Sequence, residues 1–252
     1  MRRQNMKTAL PRLVPICVLT AALTTFLALL PQAPAAEAEE GFIPMCNGKD
    51  LTGWEGKAGW WRVEDGAITS ESTKEKPCTK CNYLMWRAGK PTDFELRCEF
   101  RLVGGNSGIQ FRSRELPDWD TYGYQADMEA GDQWTGCLFH HKFGGVVMRG
   151  EKAVIAKDGK KEITPLGDSK ELLKKVKKND WNSYRVFARG NEMILEINGV
   201  VMCQAIDHRL DDGVRDGVIA LQMHPGPPMK VQFRNLRIKT FEPAKPSDSG
   251  KN

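Results

Sequence analysis

The stretch at residues 217–238, GVIALQMHPGPPMKVQFRNLRI, reads as two short strands around a Pro/Gly turn with a histidine at its mouth. Period-two alternation puts Ile219, Leu221 and Met223 on one face of the first strand and Val218, Ala220, Gln222 and His224 on the other. One face is apolar throughout and the other ends in two polar groups. A sheet that covers a core with its apolar side can offer the opposite side to solvent or a ligand. The same alternation recurs along the chain: Phe94, Leu96, Cys98 and Phe100; Ile109 with Phe111; Tyr122, Tyr124, Ala126 and Met128; Tyr184, Val186 and Ala188; Met193, Leu195 and Ile197. Asn198-Gly199, between Ile197 and Val200, is a hairpin-turn signal. Helical spacing is confined to KELLKKVKK at residues 170–178, a short surface helix with solvated lysines. The pattern predicts an all-β chain, a β-sandwich or jelly roll of two antiparallel sheets with few short helices.

The first residues interrupt this pattern. Arg2, Arg3, Lys7 and Arg12 precede an apolar run from Leu13 to Leu30, followed by small residues with Ala-x-Ala candidates at 33–35 and 36–38. Residues 1–38 are therefore expected to be a cleaved signal peptide, and the protein to be exported to the periplasm or the extracellular space. The competing reading is an uncleaved anchor, since the run approaches the roughly 18 residues that span a bilayer. With the leader removed no membrane association is expected. Residues 39–242 are expected to form one domain, and 243–252 (AKPSDSGKN preceded by Pro243) a disordered tail. Up to Ala35 the leader also carries four of the 37 Lys and Arg residues and none of the 32 Asp and Glu, so without that part the net charge of +5 for the whole chain falls to 33 − 32 = +1. No basic surface remains to argue for nucleic acid as a partner.

Beyond Cys17, the cysteines are Cys46, Cys78, Cys81, Cys98, Cys137 and Cys203, an even number that permits disulfides without requiring them. Cys98 alternates with Phe94, Leu96 and Phe100 and reads as a small buried hydrophobe. The Cys78-x-x-Cys81 pair lacks the two further ligands a zinc site needs at suitable spacing.

Residues 42–54 (FIPMCNGKDLTGW), 61–66 (WRVEDG), 94–112 (FELRCEFRLVGGNSGIQFR), 123–127 (GYQAD), Trp181-Asn182 and 217–235 resemble successive motifs of the 3-keto-disaccharide hydrolase domain family. The resemblance implies a concanavalin-A-like, laminin-G-like jelly-roll β-sandwich. It also implies action on 3-keto-glycosides, sugars oxidised to a ketone at carbon 3. Such a ketone acidifies the C2 proton, so a base can start a β-elimination of the C1 substituent, and water adding across the double bond completes a net hydrolysis. Ordinary glycosidases instead use two carboxylates around an oxocarbenium-like state.

That chemistry selects candidate residues. In GGNSGIQFR, Gln110 and Arg112 share the face opposite Ile109 and Phe111, with Asn106 just before them. Arg112 is the candidate to hold an enolate oxygen, because guanidinium keeps its charge and offers several fixed donors. Its plain alternative is a strand-surface ion pair. In GYQADME, Gln125, Asp127 and Glu129 share a polar stripe opposite Tyr122 and Tyr124, and the resemblance makes Gln125 and Asp127 lining residues. His224 beside Gln222 is a candidate acid, base or metal ligand at neutral pH. The expected catalytic set is His224, Asp127 and Arg112; the expected substrate-binding set is Gln125, Gln222, Asn106, Gln110, Trp119 and Glu129. Asp127, His224 and Glu129 are the candidates for a divalent metal ion. The chain departs from the family at residues 136–142 (GCLFHHK), where Phe139 stands in place of a tyrosine and only one of His140 and His141 can face the site. The tryptophans Trp54, Trp60, Trp61, Trp86, Trp119 and Trp134 keep open an alternative: a carbohydrate-binding module without turnover, with Trp119 as the sugar platform.

Overall fold

A computed structural model describes residues 40–210 and 215–242. The expected leader (1–38) and tail (243–252) lie outside the described residues. In chain order the strands are β1 (Ile43–Pro44), β2 (Trp54–Gly56), β3 (Trp61–Glu64), β4 (Ala67–Ser72), β5 (Asn82–Trp86), β6 (Phe94–Val103), β7 (Asn106–Leu116), β8 (Asp120–Glu129), β9 (Leu138–His140), β10 (Gly144–Val147), β11 (Glu151–Ile155), β12 (Lys161–Pro165), β13 (Asn182–Arg189), β14 (Glu192–Ile197), β15 (Val200–Asp207), β16 (Val218–Met223) and β17 (Met229–Thr240). A helix α1 (Ser169–Leu173) and a 3-10 turn at His208–Leu210 are the helical pieces among the described residues. Helix α1 begins where Asp168 accepts from the Lys170 and Glu171 amides, within the lysine cluster that predicted it.

The strands form a sandwich. One sheet of ten strands runs β12-β11-β15-β14-β13-β6-β17-β4-β3, with β1 against β17; a second of seven runs β10-β9-β8-β7-β16-β5-β2. This is the jelly-roll-like all-β architecture that the alternation predicts, with one local difference: β11 and β15 pair parallel. The apolar faces meet between the sheets. Phe94 of the ten-stranded sheet meets Phe111 of the seven-stranded sheet edge-on, ring centroids 6.0 Å apart. Phe100 and Tyr184 pack at 5.5 Å beside them. Burying side chains of this size stabilises by roughly 1.5–3 kcal/mol each. Cys98 is 2 % exposed in that core, as its alternation implies. Asn198 and Gly199 both take positive φ (51° and 77°) and turn β14 into β15, the conformation for which that dipeptide is suited.

The two strands around His224 do not pair with each other. β16 sits between β7 and β5 in the seven-stranded sheet, whereas β17 lies between β6 and β4 in the other. The Pro/Gly turn therefore carries the chain from one sheet to the other.

A second departure shapes the outer face of the seven-stranded sheet. The β7–β8 ladder shifts register between Phe111 and Arg114, and Arg112 takes a positive φ of 47°. A bulge of this kind bends the hairpin. Its distal half reaches across β16 to β5: the Tyr83 amide donates to Trp119 O at 2.9 Å, and Arg87 holds Glu115 through two bonds of 2.6 and 2.8 Å. Beneath it a small second core forms from Tyr83, Met85, Val218 and Ala220, all on the face turned away from the main core.

Candidate functional site

Beyond this folded-over tip, the same face carries a row of amides. Gln110, Gln125 and Gln222 come from adjacent strands β7, β8 and β16, and each is at most 4 % exposed. Gln110 Nε2 donates to Gln125 Oε1 at 2.7 Å. Gln125 Nε2 donates to Asp127 Oδ1 at 2.5 Å and to Gln222 Oε1 at 3.2 Å. The Gln125 side chain reaches Gln222 by lying over Gly108, where a Cβ would fall 2.5 Å from its Cδ. Alternation placed these residues on one face; the register Gly108↔Asp127 brings them together.

Asp127 is 3 % exposed. Burial pushes its carboxyl up to about 8, because the charged form loses water; the Gln125 donor opposes that rise and Glu129 adds to it. Its position on the face is fixed from behind, where Tyr184 OH donates to the Asp127 carbonyl at 3.0 Å.

The other expected residues are placed as follows. His224 follows β16 directly, half-buried, with Nδ1 2.6 Å from Pro225 O. Asn106 opens β7 opposite Glu129, also half-buried. Trp119 belongs to the folded-over hairpin tip, where its carbonyl holds β5.

Arg112 leaves this face. Simple alternation put it beside Gln110, but the bulge turns it into the protein. Its side chain, fully buried, donates to Thr92 O at 2.9 Å and pairs with Asp93 at 3.2 Å, tying the seven-stranded sheet to the start of β6. Burial lowers the guanidinium to about 10 against the opposing pull of Asp93. It is a structural ion pair, and the expected catalytic role has no geometry to support it.

Glu129 is also turned away from a substrate role. Its carboxylate accepts from the Gln133 and Trp134 amides at 3.1 and 3.0 Å and closes the turn at residues 129–135. The three candidate metal ligands do not fit a cation. Asp127 is held toward its neutral form, Glu129 is committed to backbone amides, and His224 gives one nitrogen to Pro225 O. Among the described residues no group of three or more His, Cys, Asp or Glu side chains is placed to hold a metal ion. Among the described residues the six cysteines are free thiols, with Cys78 buried.

Two contributors, Tyr83 and Cys81, were not read as site residues from the sequence, and a third, His141, was one of a pair left open. Tyr83 OH accepts from Gln222 Nε2 at 2.9 Å, and Cys81 Sγ lies 3.6 Å from the same nitrogen. His141 Nε2 lies 3.4 Å from Tyr83 OH. The sequence signal for the first two is the alternation Cys81, Tyr83, Met85, which is masked because its outer face is apolar at Met85. Of the adjacent histidines one does face this side: His141 is exposed, while His140 packs inward on Tyr124 at 4.6 Å, its imidazole lowered to about 4 by burial. Phe139, opposite Gln125 in the ladder, and Trp134 meet edge-to-face at 5.9 Å, and Phe139 meets His141 at 5.7 Å. An aromatic border thus flanks the amide row. A separate hollow of about 220 Å³, between α1 and the 129–135 turn, has Phe100 and Leu102 in its floor and touches the candidate site only at Glu129.

Comparison with known proteins adds a family. The model of the 3-keto-alpha-glucoside-1,2-lyase-like domain matches residues 41–239. Two solved structures of candidate glycosyl hydrolases from Parabacteroides distasonis share the fold. One has a TM-score of 0.53 at 19 % identity, over 81 % of this chain and 95 % of its own. The other has a TM-score of 0.56 at 17 % identity, over 79 % and 99 %. No curated protein matches.

Proposed function

The chain belongs to the 3-keto-alpha-glucoside-1,2-lyase-like domain family, and from that premise we propose that it cleaves 3-keto-glycosides by elimination, with Asp127 as the base. The observation that carries the reading is a carboxyl buried on the outer face of a sheet, among three amides and beside an aromatic border. A carboxyl held near 8 is matched to abstracting a weakly acidic carbon-bound proton at neutral to mildly alkaline pH.

In this reaction Asp127 takes the C2 proton and the electron pair moves to the C3 oxygen as an enolate. The enolate then re-forms the ketone, the C1–C2 double bond forms, and the C1–oxygen bond breaks toward the aglycone, which takes up a proton. Water adding across C1–C2 gives the 3-keto sugar and a net hydrolysis. His224, just past β16, is the proposed proton donor to the aglycone. Side-chain amides of Gln125 and Gln222 are proposed to orient sugar hydroxyls. With Arg112 withdrawn, no guanidinium is assigned to the enolate.

The test is release of a chromogenic aglycone from a 3-keto-glucoside. Asp127→Asn is expected to abolish release while retaining sugar binding. Wild-type protein that retains the sugar without releasing the aglycone points to a carbohydrate-binding module instead. The proposed setting is the periplasm or the extracellular space, which secretion of the full chain with its leader checks.

A further inference from the structure

The amide row ends at Gln125, and what stands beyond it on the same face is aromatic. Gln125 pairs with Phe139 across β8 and β9, and Phe139 pairs with Gly145 across β9 and β10. Directly paired residues share a face, with Cβ atoms about 5 Å apart. Phe139 therefore stands next to Gln125, with Asp127 two residues further along β8 on that same face.

Trp134 reaches this face from the 129–135 turn, which the Glu129 carboxylate ties down. It lies over Gly145, where a Cβ would fall 3.4 Å from its ring, so the indole is seated on a strand position that carries no side chain. Trp134 meets Phe139 at 5.9 Å and 89°, and Phe139 meets His141 at 5.7 Å and 81°. Successive rings stand almost at right angles, so the row offers ring faces in two directions. Phe139 and Trp134 are half-buried and His141 is exposed, which leaves part of each to solvent.

On the other side of the amide row the sheet is closed. The hairpin tip is bonded over β5 through Trp119 O and Glu115, and Tyr83 beneath it is fully buried. Trp119, the tryptophan that the sequence offers as a platform, is part of that closure. The aromatic side is apolar where it meets Gln125: Phe139 has no hydroxyl, and Lys142, next after His141, lies over Phe143 at 5.3 Å. A pyranose ring has the matching chemistry. Its hydroxyls point outward around the rim and its C–H bonds gather on its faces, so it can meet amides with the one and an aromatic ring with the other.

We propose that Phe139 and Trp134 are the sugar platform of this chain, stacking on the C–H face of the 3-keto sugar and so holding its C2 proton toward Asp127. The proposal rests on the reading of Asp127 as the base. It moves the platform from Trp119 to the opposite side of the amide row. Stacking is the same before and during proton transfer, so its loss raises KM and leaves kcat in place.

The variants are Phe139→Leu and Trp134→Leu, which keep an apolar side chain without a ring, and Phe139→Tyr, which keeps the ring. One readout is NMR saturation transfer from the aromatic protons of the protein to the ring C–H protons of methyl glucoside, which lacks the ketone and is not cleaved. The other is kcat and KM on the chromogenic 3-keto-glucoside, with Tm as the check on folding. Phe139→Leu and Trp134→Leu are expected to weaken the transfer and to raise KM by about fivefold or more, with kcat within about twofold of wild type. Phe139→Tyr is expected to match wild type in both. Should Trp134→Leu not fold, Phe139→Leu decides alone. No transfer in wild type, undiminished transfer in Phe139→Leu, or a loss of kcat with KM in place overturns the proposal; the last is what rings that merely prop the 129–135 turn would give. Full activity of Asp127→Asn overturns the base reading instead, and the transfer to methyl glucoside, which needs neither base nor ketone, still decides the platform.

Discussion

The Gln125 side chain lies over Gly108, so closely that a Cβ on residue 108 would fall 2.5 Å from both Cγ and Cδ of the glutamine. Gly108 is the β7 residue paired with Asp127, and its missing side chain is the passage through which β8 reaches β16. Gly108→Ala should displace the amide from Asp127 and Gln222 together. The expected result is at least a tenfold loss of kcat/KM, with a destabilisation of about 1–3 kcal/mol from the overpacked contact. Aglycone release and urea unfolding on the same preparation check both.

Asp127 should leave its mark on stability as well as on rate. Its folded carboxyl is raised to about 8 from an ordinary 3.8, so between those values the folded state holds a proton that the unfolded state has lost. The stabilisation is therefore complete below about pH 4 and is lost as pH rises through about 8. Wild-type Tm should fall relative to that of Asp127→Asn between pH 5 and pH 8.5. Scanning calorimetry at the two pH values measures it, and parallel pH profiles for the two proteins would contradict the burial argument.

Catalysis should follow the same titration. Asp127 works as a base only when ionised, so kcat/KM is expected to rise with pH and level off above about 8. A rate already at its plateau at pH 5 would show that another group takes the proton.

Arg112 and Asp93 give the opposite signature. The pair is buried on both sides, and Asp93 also accepts from the Gly190 amide at 3.0 Å. Arg112→Leu leaves a buried carboxylate without its partner and should cost about 3–5 kcal/mol. Turnover per folded molecule should stay close to wild type, because the guanidinium faces away from the amide row. A selective loss of kcat with stability intact would return Arg112 to the catalytic set.

His224 should behave as a group of the reaction and not of the fold. It is half-buried just past β16, and its side-chain hydrogen bond among the described residues stays within its own turn. His224→Ala is expected to lower turnover by about 10²-fold or more, the range for a lost general acid, with Tm nearly unchanged. An unaltered rate on a substrate with a poor leaving group would remove it from the mechanism.

Period-two alternation was enough to place Gln125 with Asp127 and Gln222 with Ile219 reversed, since a strand has two faces and its side chains obey them. The same rule misplaced Arg112, because one residue in a left-handed conformation reverses everything that follows it until the register recovers. It identified two strands around the Pro/Gly turn at His224 without their partners, and the turn delivers them to different sheets. Tyr83 and His141 were not legible as neighbours, being 58 positions apart and brought together through side chains alone.

Local preference and spacing, then, sufficed for the all-β class, the hairpin at Asn198-Gly199, the buried Cys98 and the polar stripe at Gln125 and Asp127. Those are decided by neighbours along the chain, where backbone geometry repeats. The bulge at Arg112, the glycine beneath Gln125 and the meeting of Gln110, Gln125 and Gln222 were decided only when distant strands packed, because a side chain's partners and a carboxyl's burial depend on what lies across the sheet.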